Sequence, residues 1–278
     1  MTSAYPHWYA PYLSQSAVGI QRSSLVERAL ARVEGNATRW LRAKIRSLLK
    51  APPDPLPFVL KKFYEPPTPG ARLLDYGCGS KRFLDEARLS GWQTLGMDFA
   101  ESVVAEVDRA GHRAFLAPCG WREIGDGSLD AVRLNHVIEH LYHPGEMLAI
   151  ARRKLRVGGR LHIATPNPAG LSAFLFRSCW YGLEAPRHVM LYSPPALSSF
   201  LERHNFCNIR IIAERSTKDL TRSLGNLLHA AGLIPREEVT TMATDRLLSA
   251  WAELLMLLAL RLGRPDRYHV FAEVGKGS

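Results

Sequence analysis

The chain has 278 residues, 46% of them hydrophobic and 22% charged, a composition that suits one large globular domain with additions or two small ones and excludes a low-complexity or repeat protein. The formal net charge of +10 favours acidic partners such as phosphate esters, nucleic acid or an anionic membrane surface. The four cysteines, Cys78, Cys119, Cys179 and Cys207, are scattered and offer neither a disulfide framework nor a zinc knuckle, which fits free thiols in a reducing cytosol.

Met1 to Leu13 lacks a basic stretch followed by an apolar run, so no signal peptide is expected and the protein reads as cytoplasmic. From Gln21 to Lys50, Leu25, Leu30, Val33, Leu41, Ile45 and Leu48 recur at helical spacing, with arginines and lysines over much of the rest. Ala51-Pro52-Pro53-Asp54-Pro55 stops that helix, because proline removes a donor and disfavours helical backbone before it. After Pro66-Pro67-Thr68-Pro69-Gly70 the chain alternates strand and helix. Strands are expected at Arg72 to Tyr76, Thr94 to Asp98, Ala114 to Leu116, Leu129 to Leu134 and Arg160 to Ala164, the last entered through a turn at Gly158-Gly159. Helices are expected at Phe83 to Ser90, Glu101 to Ala110 and Glu146 to Leu155. Such alternation predicts right-handed crossovers and a mostly parallel sheet. Ser193-Pro194 reads as an N-cap with proline at the first helical position, opening a helix to about His204 that Asn205 ends in the left-handed region. Cys207 to Ala213 and Tyr268 to Val274 read as final strands that pair antiparallel. Between them Ser216 to Arg267 is mostly helical; its apolar stretch Leu247 to Leu262, interrupted by Ser249 and Glu253, falls short of the ~20 residues of a spanning helix. The expected organisation is a helical extension over 1–65, an α/β core over 66–215, a helical insertion over 216–267 and a last strand with tail over 268–278.

Asp75-Tyr76-Gly77-Cys78-Gly79 sits where a strand gives way to a helix. Its glycines permit a tight turn and a close approach of backbone amides to a ligand. Asp98, at the end of the next strand, can hydrogen-bond two vicinal ribose hydroxyls. Together with Gly96-Met97-Asp98, Asp126-Gly127-Ser128-Leu129-Asp130, Asn135-His136-Val137-Ile138-Glu139-His140-Leu141 and Leu155-Arg156-Val157-Gly158-Gly159, this loop makes the stretch from about Arg72 to Arg215 resemble the class I S-adenosylmethionine-dependent methyltransferases. The ubiquinone-biosynthesis O-methyltransferases are among them. The resemblance implies a Rossmann-like α/β fold with a mostly parallel seven-stranded sheet and an antiparallel last strand. It implies S-adenosylmethionine as cofactor and S-adenosylhomocysteine as product. Asp75 and the Gly77, Cys78 and Gly79 backbone would then hold the methionine end, and Asp98 the ribose, with Phe99 against the adenine. Ala117 to Cys119 would edge the adenine, and Asn135 would lie beneath the sulfonium. Lys81 departs from the pattern, standing where the family usually carries a third glycine. A side chain there would narrow the loop or meet the cofactor carboxylate, and it raises the alternative of a non-catalytic S-adenosylmethionine-binding protein.

His136-Val137-Ile138-Glu139-His140 matches the H-x-x-E-H pattern, and on a helix the two histidines would share a face. No third ligand stands out, so no metal is assigned; the alternative is a divalent ion held by Glu139, His140 and a substrate oxygen. Gly182-Leu183-Glu184-Ala185-Pro186-Arg187-His188 follows Ala164-Thr165-Pro166-Asn167-Pro168 and should overhang the carboxyl ends of the strands, where ligands bind in open α/β sheets. Related methyltransferases often carry Pro-Arg-His there, which implies that His188 faces the acceptor. For a hydroxyl acceptor the base best matched to neutral pH is histidine. His188 is the first candidate and His136 the second, with His140 beside them. The expected activity is O-methylation of a small sugar, lipid-linked or phenolic acceptor. An RNA methyltransferase is the rival that the net charge favours, but no RNA-binding module or Asn-Pro-Pro-Tyr-type motif accompanies it, so nucleic acid is not the expected partner. The leucine-rich insertion is expected to cap the site and to pack on itself or on a second subunit in a homodimer; peripheral membrane contact, aided by the basic helix, is the alternative.

Overall fold

The first strand of the sheet, β1 (Arg72–Tyr76), is buried along most of its length, and so are β2 (Gln93–Asp98) and β4 (Leu129–Asn135). Runs such as Leu73-Leu74 and Ala131-Val132 have no exposed surface, as expected where helices cover both faces of a parallel sheet. The structure, a computed structural model, describes residues 53–240 and 246–275 with scattered positions between 36 and 47. Seven strands lie in the order β3-β2-β1-β4-β5-β7-β6, where β3 is Arg113–Leu116, β5 Leu155–Pro166, β6 Phe206–Glu214 and β7 Arg267–Val274. Strands β1 to β5 pair in parallel, and β7 runs antiparallel between β5 and β6. This is the Rossmann-like arrangement anticipated, with its antiparallel final strand.

Helices α1 (Leu56–Phe63), α2 (Arg82–Leu89), α3 (Glu101–Arg109), α4 (Pro144–Lys154) and α6 (Pro194–Arg203) alternate with the strands. Leu84, Val103 and Val107 cover one end of one face, and Met147, Leu148, Leu197 and Leu201 cover the other face. Leu56, Val59 and Phe63 of α1 pack on Ile212 and Phe271. A separate apolar cluster joins α5 (Leu171–Phe176), α7 (Lys218–Ala230) and α8 (Arg246–Arg261) through Phe176, Trp180, Leu220, Ala252, Met256 and Leu257. No helix among the described residues is long and apolar enough to cross a membrane.

Three expectations change in detail. Gly158-Gly159 lies inside β5 rather than before it: Gly158 takes φ +73° and the register against β4 shifts there, so a bulge absorbs what reads as a turn. Residues 136–140 do not form a helix. His136 adopts φ +57° and only Ile138–His140 make a single 3-10 turn. Pro144 disfavours helical backbone at His143 and itself opens α4, so the helix begins beyond the histidines, slightly ahead of the expected start at Glu146. His136 and His140 therefore share no helix face. Ser193 precedes Pro194 as expected, but its hydroxyl makes no capping hydrogen bond. Asn205 does take the left-handed conformation, at φ +59°. The basic helix expected over Gln21 to Lys50 lies largely outside the described residues; Arg39, Trp40 and Leu41, which are described, are helical.

Candidate active site

Gly77 and Gly79 have φ of +70° and +63°, which only glycine adopts without strain. A Cβ on Gly77 would come within 2.6 Å of Val137 Cγ2, so this loop lies directly against the segment that follows β4. The Asp98 carboxylate, at the end of β2, accepts hydrogen bonds from the Gly79 N–H at 2.8 Å and the Ala100 N–H at 3.0 Å. Lys81 has φ −72° and is exposed, immediately before α2. Its backbone is right-handed, so this position has no conformational need of glycine.

The Cys78 side chain packs with Leu84, Val103 and Val107, and burial pushes its thiol pKa upward. Asp75 has no exposed surface, and Arg133 Nη1 donates to both of its oxygens at 2.8 and 2.9 Å. Burial raises the Asp75 carboxyl pKa, against the opposing pull of Arg133. The Arg133 guanidinium lies 3.9 Å from the centre of the Phe83 ring. Phe99 meets Tyr76 edge-on at 5.6 Å, and Tyr76 stacks on Trp121 at 5.4 Å. Cys119 is exposed and opens the 3-10 turn that carries Trp121. Asn135 ends β4, half-buried, one residue before His136.

The histidines lie beside this loop. The His136 N–H donates to Ala164 O at 2.9 Å. Its Nδ1 is 3.2 Å from Glu139 Oε1, and Arg267 Nη1 donates to its Nε2 at 3.1 Å. Both ring nitrogens are thus engaged, and Arg267 in turn pairs with the buried Asp219 of α7. Glu139 is fully buried, and its Oε2 accepts the Thr165 hydroxyl at 3.0 Å. Burial raises the Glu139 carboxyl pKa, but His136, then a backbone hydrogen bond and His140, outweigh it, so the net shift is downward. The Glu139 carbonyl accepts from the Val189 and Met190 amides at 2.8 and 3.2 Å, which draws the segment carrying His188 over the site.

His140 Nδ1 donates to Arg187 O at 3.0 Å, and His188 Nδ1 donates to Gly182 O at 2.7 Å. The two rings meet at 4.7 Å. A carbonyl only accepts, so each Nδ1 carries a proton, and in the neutral ring the lone pair is on Nε2. Burial lowers both histidine pKa values, against the opposing influence of Glu139. His188 Nε2 lies 3.1 Å from Glu184 Oε2. One ligand-capable atom each from Glu139, His140 and His188 falls within 4.8 Å of the others. The structure therefore groups His188 with His140 and Glu139 and leaves His136 behind them. Sequence reasoning missed Arg133, Thr165, Glu184 and Arg267. Only Arg133 left a signal, as a lone charge between Val132 and Leu134 in a buried strand.

A sequence model of a family described as a methyltransferase domain matches residues 40–211. An uncharacterized 37.1 kDa protein in transposon Tn4556 of Streptomyces fradiae is 34% identical over 110 residues, covering 36% of this chain and 31% of that protein. A ubiquinone biosynthesis O-methyltransferase of a Caulobacter species is 27% identical over 173 residues, 56% of this chain and 69% of the relative. The chain thus spans about a third of the first relative's length and about two thirds of the second's. Among solved structures, a SAM-dependent methyltransferase from Archaeoglobus fulgidus matches with a TM-score of 0.52 at 20% identity, over 85% of this chain and 94% of that one.

Proposed function

Because the chain belongs to the methyltransferase-domain family, we propose that it transfers the methyl group of S-adenosylmethionine to a hydroxyl of a small acceptor. The observation that carries the reading is the contact of the Gly77 loop with Val137, which sets a nucleotide-type glycine loop and Asp98 beside the Glu139, His140 and His188 cluster on one edge of the sheet. The Caulobacter relative is a ubiquinone biosynthesis O-methyltransferase, which supports an oxygen acceptor.

In this reading the Gly77 to Gly79 backbone and Asp98 hold the donor, with the ribose hydroxyls on the Asp98 carboxylate. Methyl transfer is an in-line displacement, so the acceptor oxygen must lie about 3 Å from the methyl carbon. The proton of the hydroxyl leaves on the side of His140 and His188, whose Nδ1 atoms, not their Nε2 atoms, are held by carbonyls. Glu139 and Asp98 supply negative charge on the side of the cationic sulfonium, whereas Asp75 is neutralised by Arg133. Tyr142, Leu183, Val189 and Met190 are exposed apolar side chains flanking the cluster in sequence, which favours an acceptor with an apolar portion, phenolic or lipid-linked.

Asp98→Ala tests the donor half. It removes a carboxylate acceptor whose hydrogen bonds are worth roughly 1.5–3 kcal/mol, so S-adenosylhomocysteine affinity should fall about tenfold or more by calorimetry. Unchanged affinity sinks the ribose assignment. Transfer of labelled methyl to a panel of phenols and polyols tests the acceptor half.

A further inference from the structure

Building on the reading of this edge as the acceptor side of a methyl-transfer site, we propose that Glu139, His140 and His188 bind one divalent transition-metal ion, which takes the acceptor oxygen as a further ligand. Two imidazoles and a carboxylate suit zinc, manganese, iron(II) or cobalt(II). Among the described residues this is the one group of three His, Cys, Asp or Glu side chains close enough to share an ion.

The surroundings are those of a metal centre. Metal-binding histidines usually donate their other ring N–H to a carbonyl or carboxylate, which fixes the tautomer and aims the free nitrogen. Both histidines do so here, through Arg187 O and Gly182 O. Glu139 is oriented in the same way, by His136 on one oxygen and Thr165 on the other, and Arg267 holds His136 from behind. Each carboxylate oxygen accepts one hydrogen bond and keeps capacity for an ion. The ligand atoms of one ion at bonds of about 2.1 Å lie roughly 3–4 Å apart, so small side-chain rotations close a spread of 4.8 Å.

Glu184 supplies an independent observation. With the His188 proton committed to Gly182 O, the Nε2 lone pair faces Glu184 Oε2 at 3.1 Å, acceptor against acceptor. Glu184 Oε1 pairs with the Arg187 guanidinium, and a positive charge between Oε2 and Nε2 would relieve the contact that remains. A cation bound to Nε2 supplies it while leaving the Gly182 hydrogen bond intact. It also joins the loop after β4 to the 182–188 segment, which the sequence leaves far apart.

The chemistry balances. Coordination lowers the pKa of the acceptor hydroxyl. The O–H bond breaks and the proton passes to the Glu184 carboxylate and on to solvent. The oxygen lone pair forms the new O–CH3 bond as the S–CH3 bond breaks, and that electron pair stays on sulfur as a neutral thioether. His140 and His188 then act as ligands, not as bases.

Titration of the full chain with cobalt(II) chloride, read by visible absorption and calorimetry, tests the site without turnover. One ion per chain is expected, with affinity reduced at least about tenfold in His140→Ala, His188→Ala and Glu139→Gln. S-adenosylhomocysteine binding at parental affinity shows that each variant is folded; where an alanine variant is not, His188→Gln takes its place. Absence of saturable binding, or binding that none of these substitutions weakens, overturns the proposal. Methyl transfer that survives exhaustive chelation but still needs His188 also overturns it and leaves the methyltransferase reading standing. Cobalt binding by a protein that takes no S-adenosylhomocysteine would support the site and overturn that reading instead.

Discussion

At the scale of single residues, two pairs dominate the cofactor loop. Asp75 is a carboxylate with no solvent, held by one guanidinium nitrogen. Removing one partner of a buried pair leaves an uncompensated charge, so Arg133→Met should lower unfolding stability by about 3–5 kcal/mol in denaturant titration. The double variant Asp75→Leu with Arg133→Met should recover much of that loss, because the buried charge is gone. A single variant no less stable than the double would show that the pair contributes nothing. Gly77 is the second case. Gly77→Ala places a methyl 2.6 Å from Val137 Cγ2 at φ +70°. It should destabilise by roughly 1–3 kcal/mol through backbone strain and overpacking, and Val137→Ala should relieve only the packing part. The glycine was legible in the sequence because its neighbours form a strand-to-helix loop. Arg133 was visible as a misfit in an apolar strand, but its partner was not.

At the scale of elements, the segment after β4 is the main departure from the sequence reading. Its H-x-x-E-H spacing has helical period, yet α4 opens only at Pro144 and His136 turns left-handed, so the pattern comes apart into a 3-10 turn. Beneath the sheet, β5 and β7 carry a buried chain of polar side chains that periodicity does not reveal. The Tyr64 hydroxyl meets His162 Nδ1, His162 Nε2 meets His269 Nδ1 at 2.8 Å, and His269 Nε2 lies 3.4 Å from Glu214 Oε2. Burial, and after it His269, hold the His162 pKa well below its ordinary value. The unfolded chain therefore takes up a proton near pH 6.5 that the folded chain refuses. Stability from this group is complete above about pH 6.5 and is lost as pH falls below it. The thermal midpoint should drop from pH 7 to pH 5, and less steeply in His162→Gln, which keeps polar contacts without titrating. Parallel slopes for the two proteins would exclude His162 as the source.

At the scale of the whole molecule, the carboxyl ends of β1, β2, β4 and β5 gather the glycine loop, Asp98, Asn135 and Thr165 on one edge, and the return strand β7 brings Arg267 to the same place. Arg267 joins the helical insertion to the site, bonding Asp219 of α7 with Nε and His136 with Nη1. The insertion is thus wired to the residue that aims Glu139. Arg267→Met should cut kcat for methyl transfer about tenfold or more, with S-adenosylhomocysteine affinity within about twofold, because Arg267 acts through His136 and not on the donor. Equal losses in both quantities would mean that Arg267 serves only general stability.

The sequence by itself determined the order of strands and helices, the position of the donor loop and the acid that ends β2. Those signals are local: apolar runs, prolines, and glycines within a few residues of one another. Tertiary structure decided which polar groups meet. His140 reaches Arg187 O across 47 residues, Arg133 reaches Asp75 across 58, and Arg267 reaches His136 across 131. No period or motif spans such distances. Sheet order and the fold of the 182–188 segment bring these groups together, and so set His188 beside His140 and Glu139 and engage both nitrogens of His136.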